Sequence, residues 1–343
     1  MPQPRVLLLD HPAQEGGAEL ALVRLAEAIG DRVELAAVLF ADGPLRRRLG
    51  DAGVRIVIVE LDSAIATASR TGIVSGVLRS AGSALAFIPR LSRAIRGSGA
   101  QFVVANSLKS AVFASVAAPL AGRPWVWHLH DRLAPDYLPR VLVHVMRLLA
   151  VLGPRAVVVN SRATLATLPP RARRKSTVAY PGLPAGAFAP TPTRGPELTI
   201  GIIGRVSPTK GQREFLTAAA AVAPAHPQVG FVVVGAALFG EDEYESEMKQ
   251  LADQLGISDR TDFTGWVSDA PERLRRMSIV VHASPVPAPF GQVVAEAMAA
   301  GVPGLATRPG GVSEVLDPRG TPLALSWPPP ATRLLLPPRR PSP

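Results

Sequence analysis

Short runs of aliphatic and β-branched residues alternate with helical segments along most of this chain, and the alternation is interrupted once, near residue 180. The first series of runs covers residues 6–9, 33–40, 54–59, 102–105, 125–127 and 157–159. Strands spaced by helices in this way pair in parallel and carry helices on either side of the sheet. Residues 181–196 are crowded with Pro, Gly, Ala and Thr and hold no sustained apolar period. The series then restarts at 198–203, 231–234, 262–264, 279–281 and 304–306, with helical segments such as 243–255 between. The expected fold is therefore α/β, with two doubly wound, Rossmann-like domains at 1–180 and 198–317 joined by a linker at 181–197. Such sheets bind ligands at the carboxyl ends of their strands, which places the expected site in a cleft between the domains. Residues 318–343 are dense in Pro and Arg, and proline at that density blocks ladder and helix hydrogen bonds, so this tail is expected to be disordered.

A chain of 343 residues that is 47% apolar and 19% charged supports two cores of ordinary size. The formal net charge is +10, and four of the 37 basic residues are lysines. An arginine and alanine bias of this kind follows from base composition, so the charge is not read as a nucleic-acid signal. The basic clusters at 46–48 and 171–175 read as solvated faces, with anionic lipid headgroups the functional alternative. The absence of cysteine excludes a disulfide framework and thiolate chemistry and fits a cytoplasmic protein. The first apolar run ends at an acid and a proline, as a buried strand does and a secretion signal does not. Apolar stretches at 73–91 and 141–152 are broken by Arg79 and Pro89 and by His144 and Arg147. Neither is long enough to cross a bilayer; both read as amphipathic or core helices, one of which could lie on a membrane surface.

The chemistry is concentrated at strand ends. Residues 201–211 run from Gly201 through Gly204, Arg205 and Lys210 to Gly211 and lead into a helical segment near Gln212. A glycine turn that presents two cations at a helix N-terminus holds a diphosphate through backbone N–H groups, the helix dipole and full charges. The spacing matches neither the dinucleotide nor the P-loop fingerprint, which points to a nucleoside-diphosphate ligand of another class. Gly16 and Gly17, followed by Glu19, form a second glycine turn after the first strand, suited to close approach of an anion or sugar or simply to a tight turn. His128 and His130 follow a strand and precede Asp131. With no cysteine and no third ligand nearby they do not form a convincing zinc set. Asn160 and Ser161 end another strand as a turn and cap. Trp266, after Gly265, reads either as ligand contact or as core packing. Phe290, Gly291 and Gln292 open a helical stretch at 290–300 that carries Glu296 and ends at Gly301.

Taken in order, these motifs resemble glycosyltransferase family 4, retaining enzymes of the GT-B fold that use nucleotide-sugar donors, over residues 4–317. The resemblance implies that the loop at Gly16 and Gly17 closes over the donor diphosphate. It makes His130 a partner of the donor sugar, oriented by Asp131, and Arg205 and Lys210 the pair that neutralises the pyrophosphate. The segment at Trp266 would contact the nucleobase, Glu296 the ribose hydroxyls, and the amides of Phe290 and Gly291 the phosphate and sugar. The donor is expected to be a UDP- or GDP-sugar and the acceptor a saccharide or lipid-linked molecule. No obligatory metal cofactor is expected, no Asp-x-Asp motif occurs, and no nucleic-acid partner is expected. A peripheral contact with an anionic membrane at its inner face is compatible with the basic clusters. The chain departs from the family at two places. Ala288 stands where the first of the paired glutamates belongs, eight residues before Glu296, and the Pro-rich tail replaces the expected final strand and helices. Two other readings follow: a non-catalytic or truncated relative that binds a nucleotide sugar or glycan, and a nucleotide-sugar epimerase of the same architecture.

Overall fold

The computed structural model describes residues 3–11, 16–62, 81–188, 197–238, 240–317, 324–326 and 332–335. The chain divides into two compact units, residues 1–182 and 183–343. In the first, β1 (Arg5–Asp10), α1 (Gly17–Ile29), β2 (Glu34–Leu39), α2 (Pro44–Asp51), β3 (Arg55–Ile58) and α3 (Ala81–Gly97) are followed by β4 (Phe102–Ala105), α4 (Leu108–Leu120), β5 (Trp125–Leu129) and α5 (Arg140–Leu152). The unit closes with β6 (Ala156–Val159), α6 (Arg162–Ala166), α7 (Pro170–Arg173) and β7 (Ser176–Val178). All seven strands pair in parallel in the order β3-β2-β1-β4-β5-β6-β7. One face of the sheet is covered by α3, α4 and α5 over a core that includes Phe40, Phe87, Phe113, Trp127 and Met146. The three phenylalanines meet edge to face at centroid distances of 4.8–5.8 Å. The other face carries α1 and α2 over Val6, Leu8, Leu22, Leu39 and Leu49.

The second unit repeats the plan. It comprises β8 (Leu198–Ile203), α8 (Gln212–Val222), β9 (Val229–Val234), α9 (Asp242–Gln254), β10 (Thr261–Gly265), α10 (Ala270–Arg276), β11 (Ile279–His282), α11 (Gln292–Ala299), β12 (Gly304–Thr307), α12 (Val312–Leu316), β13 (Ala324–Ser326) and β14 (Thr332–Leu335). The order is β10-β9-β8-β11-β12-β14-β13; the first five strands are parallel and the last two antiparallel. The apolar runs of the sequence all become strands. β7 and the short helices before it carry too little periodicity to be read in advance.

Two expectations change. The helix that follows Phe290 begins at Gln292, because Gly291 stands at φ +95° as its N-cap and ends the preceding loop. Within residues 318–343, expected to be disordered, β13 and β14 are strands, and the rest lies outside the described residues. Neither contains proline, so every N–H in them is available, and together they cover the edge that β12 would otherwise present. Of the linker, residues 185–188 form a short 3₁₀ turn and 189–196 lie outside the described residues. The apolar stretch at 73–91 is described only from residue 81, where it forms the start of α3.

Candidate active site: two strand-end clusters

In each sheet the strand order reverses beside the first strand, between β1 and β4 and between β8 and β11. Adjacent loops leave in opposite directions there and open a crevice at the carboxyl edge. Polar residues end the strands at both places.

In the first unit Asp10 ends β1, fully buried, and Asn106 follows β4, also fully buried. Asn106 Nδ2 donates to Asp10 Oδ2 at 2.7 Å and to the Ala18 carbonyl at 3.3 Å. Its oxygen is thereby left to face His130, whose Nε2 lies 2.9 Å away. This chain fixes the tautomer: Nε2 carries the proton and Nδ1 keeps a lone pair. Burial pushes the His130 imidazole down to about 4, so it is neutral at pH 7 and acts as an acceptor. The His130 carbonyl accepts from Asn160 Nδ2 at 3.0 Å, and Asn160 in turn accepts from Thr164 at 2.8 Å. Asp131 accepts from the Tyr137 hydroxyl at 3.2 Å. The side chain that orients the His130 ring is thus Asn106, backed by Asp10, where the sequence pointed to Asp131. His128 packs against His130 with ring centroids 4.1 Å apart and the rings tilted by 55°, and burial holds it well below its ordinary value.

Gly17 is the first residue of α1, and the Gly16 N–H donates to Glu19 Oε2 at 2.9 Å. Burial, followed by the nearby charge of Asp10, pushes the Glu19 carboxyl up to about 8. A protonated Glu19 adds no charge of its own beside the buried Asp10 side chain. Lys109, on the first turn of α4, is also buried, and desolvation lowers it to about 8. His11 Nδ1 lies 2.9 Å from Ser107 Oγ.

In the second unit the loop after β8 is held from behind by Gln212, the first residue of α8, which is fully buried. Its Nε2 donates to the Arg205 carbonyl at 3.0 Å and its Oε1 accepts from the Ser207 N–H at 3.3 Å. Gly211 stands at φ +88°, and a Cβ there would lie 2.2 Å from the Ala283 carbonyl oxygen. Only glycine lets the loop lie this close to the segment after β11. Ser284 Oγ adds a hydrogen bond to the Thr209 carbonyl. Arg205, partly exposed, pairs with Glu241 at 3.1 Å. His282, the last residue of β11, is buried; desolvation, reinforced by the Lys210 charge, lowers it to about 4. Its Nδ1 has no protein partner.

Phe290 is buried and Gly291 caps α11, on which Gln292 Nε2 donates to Glu296 Oε1 at 3.2 Å. Ala288 is 5% exposed and packs with Val294, Ala306, Val312 and Leu316. The Gly311 N–H donates to its carbonyl at 2.9 Å. Trp266 is 52% exposed at the end of β10, which rules out the core-packing reading.

The structure therefore collects Gly16, Gly17 and His130 at the carboxyl edge of the first sheet. It places Arg205, Lys210, Trp266, Phe290, Gly291 and Glu296 on loops and one helix at the carboxyl edge of the second. Sequence reasoning missed Asp10, Asn106, Gln212 and His282 as members of these clusters. Three of them share one signal: a single polar residue closing or directly following an apolar strand, as in Asp10 after four aliphatics. Among the described residues no group of three or more His, Cys, Asp or Glu is placed to hold a metal.

Two doubly wound units of this topology, with a cationic glycine turn at a helix N-terminus in the second, define the two-domain Rossmann-like GT-B class. The model of the glycosyl transferase 4-like domain matches residues 16–189 and that of glycosyl transferases group 1 matches residues 187–325. The chain belongs to this glycosyltransferase family, of the family 4 type. Among solved structures, Anabaena HepE in complex with UDP and glucose is similar at 28% identity, with a TM-score of 0.77 over 91% of this chain and 83% of that one. The lipopolysaccharide core biosynthesis mannosyltransferase LpsB of Rhizobium meliloti is 34% identical over 117 residues, which are 34% of this chain and 33% of that protein. The D-inositol 3-phosphate glycosyltransferase of Segniliparus rotundus is 31% identical over 169 residues, 46% of this chain and 37% of that protein. The chain thus aligns with between 33% and 37% of the length of these two curated relatives.

Proposed function

We propose that this protein is a cytoplasmic glycosyltransferase that moves a hexose from a UDP-sugar to a saccharide or lipid-linked acceptor with retention of anomeric configuration. The observation that carries the reading is the loop from Gly204 to Gln212, a rigidly backed turn with Arg205 and Lys210 at the N-terminus of α8. UDP is favoured over GDP because the Anabaena relative was solved with UDP and glucose.

In this reading Arg205 and Lys210 hold the diphosphate, Glu296 takes the ribose hydroxyls, Trp266 lies against the base and His130 accepts a hydrogen bond from a sugar hydroxyl. The bond between the anomeric carbon and the diphosphate oxygen breaks, and its electron pair leaves with UDP. The acceptor oxygen bonds to the same face of that carbon, and its proton passes to the departing phosphate oxygen. Negative charge grows on the diphosphate as the bond breaks, so two fixed cations stabilise the transition state more than the bound donor. No metal is required by this scheme.

Titration of the full chain with UDP, GDP and ADP during thermal unfolding tests the donor site, with Arg205→Ala as control. A nucleotide at about 100 times its dissociation constant adds roughly 2.7 kcal/mol to a protein that binds it only when folded. A shift with UDP alone, abolished in the variant, is the expected result. A cooperative melt that no nucleotide moves would refute the reading.

A second reading, a non-catalytic nucleotide-sugar binder, is favoured by one observation: Ala288 occupies an apolar cluster where the family resemblance calls for a carboxylate. UDP release from UDP-sugar in the presence of an acceptor separates the two, since a binder shows the melting shift without turnover.

A further inference from the structure

The charge of the chain is far from evenly spread. Between Asp62 and Glu197 stand 17 Lys and Arg residues and two acids, Asp131 and Asp136, a net +15 in a chain whose total is +10. The remainder is therefore net acidic, and base composition alone does not account for such a partition. Of the basic residues in that span, Arg90, Arg93, Arg96, Lys109, Arg140 and Arg147 fall on α3, α4 and α5, which carry no acid and lie side by side over one face of the first sheet. These three helices hold half of the large apolar side chains that are exposed among the described residues.

α5 is apolar on two sides. Leu142, Val143, Met146 and Ala150 point into the core, while Val141, Val145, Leu148 and Leu152 form a second stripe that is 51–73% exposed. The spacing of four, three and four residues keeps that stripe on one line about 16 Å long. Leu120, at the end of α4, is also more than half exposed. Beside the ends of α4 and α5 lies a groove of about 330 Å³, lined by Pro119, Gly122, Arg123, Trp125, Gly153 and Arg155 among others. Two donors of these side chains, Arg123 Nε and Trp125 Nε1, are buried without a protein partner.

We propose that this face docks the protein on an anionic lipid surface, with the α5 stripe in the acyl boundary and the groove at Arg123 and Arg155 taking a headgroup phosphate. An apolar stripe flanked by arginines is the arrangement that lies in a bilayer interface. No described helix is long and apolar enough to cross a membrane. A second copy of the chain is a poor occupant, because a two-fold contact would set one basic face against another. The proposal does not depend on the transferase reading, since vesicle binding is measured without nucleotide or turnover.

The test is co-sedimentation of the full chain with vesicles of phosphatidylcholine alone and with 30% phosphatidylglycerol, at low and high salt. Binding is expected only to the anionic vesicles and is expected to weaken with salt. Val145→Gln with Leu148→Gln should reduce partitioning at least about tenfold with the melting temperature unchanged, since both side chains are exposed. Arg123→Gln and Arg155→Gln should each reduce it roughly fivefold, from about 1 kcal/mol per basic residue at an anionic surface. Equal binding to both vesicle types, no binding, or stripe variants that bind like the parent would overturn the proposal. So would a dimer in sedimentation equilibrium that the same stripe variants dissociate, or equal-affinity binding of an RNA that the stripe variants leave intact.

Discussion

Replacing Gln212 by Leu removes one amide and leaves its volume nearly unchanged. Two backbone groups lose their partner: the Ser207 N–H and the Arg205 carbonyl, bonded at 3.3 and 3.0 Å. Ser207 and Gln212 are fully buried, so water is not at hand to replace the amide. Each buried group left unsatisfied costs about 1–3 kcal/mol, which puts the change for the two at about 2–6 kcal/mol. The loop can avoid that cost by opening, and the energy then appears as loosened Arg205 and Lys210. If about 2 kcal/mol must be recovered on binding, the dissociation constant for UDP rises about 30-fold. Gln212→Glu keeps the acceptor for Ser207, loses the donor to Arg205 and sets a carboxylate beside the diphosphate, so it should weaken UDP further and less at high salt. Hydrogen exchange at the Ser207 amide, read with UDP titration by calorimetry, checks both halves. A Leu variant that protects Ser207 and binds UDP like the parent would show that the staple does not hold the loop.

Other outcomes follow from the clusters. Asn106→Leu breaks the link between Asp10 and His130 and should cost about 2–3 kcal/mol in urea unfolding, because the lost bond is to a buried carboxylate; nitrogen NMR of His130 should then show a mixed tautomer where the parent shows Nε2–H. His128, His130 and His282 are all lowered, so the unfolded chain binds protons first, and stability should fall as pH drops from about 6.5 towards 4 by at most about 1.4 kcal/mol per pH unit for each histidine. Glu19, raised to about 8, has the opposite sign: its stabilisation is present below its unfolded value of 4.5 and is lost as pH rises through 8. Glu19→Gln should therefore flatten the decline between pH 6.5 and 8 in denaturant titrations. Ala288→Glu forces a carboxylate into the cluster of Val294, Ala306, Val312 and Leu316 and should cost about 1–3 kcal/mol, read as a lower melting temperature; an unchanged melt would mean that the added side chain finds solvent.

The sequence by itself determined the two-unit α/β plan. Apolar runs too short for helices, spaced by helical segments and broken once by a Pro- and Gly-rich stretch, admit few arrangements other than parallel sheets covered on both faces. It also determined the loop of Arg205 and Lys210, because a glycine turn between a strand and a helix is a local structure with a local signature. The tertiary structure decided what lies far apart in the chain. Asp10, Asn106 and His130 span 120 residues and meet only because β1, β4 and β5 are neighbours in the sheet, so the tautomer of His130 is set by pairing order. The fit of Gly211 against Ala283 likewise depends on β8 lying beside β11. The two apolar stripes of α5 come from one stretch of sequence, interrupted only by His144 and Arg147. Only the packing of Met146 and its neighbours against the sheet shows which stripe is core and which remains exposed, since burial depends on the partner an element meets and is not a property of the element alone.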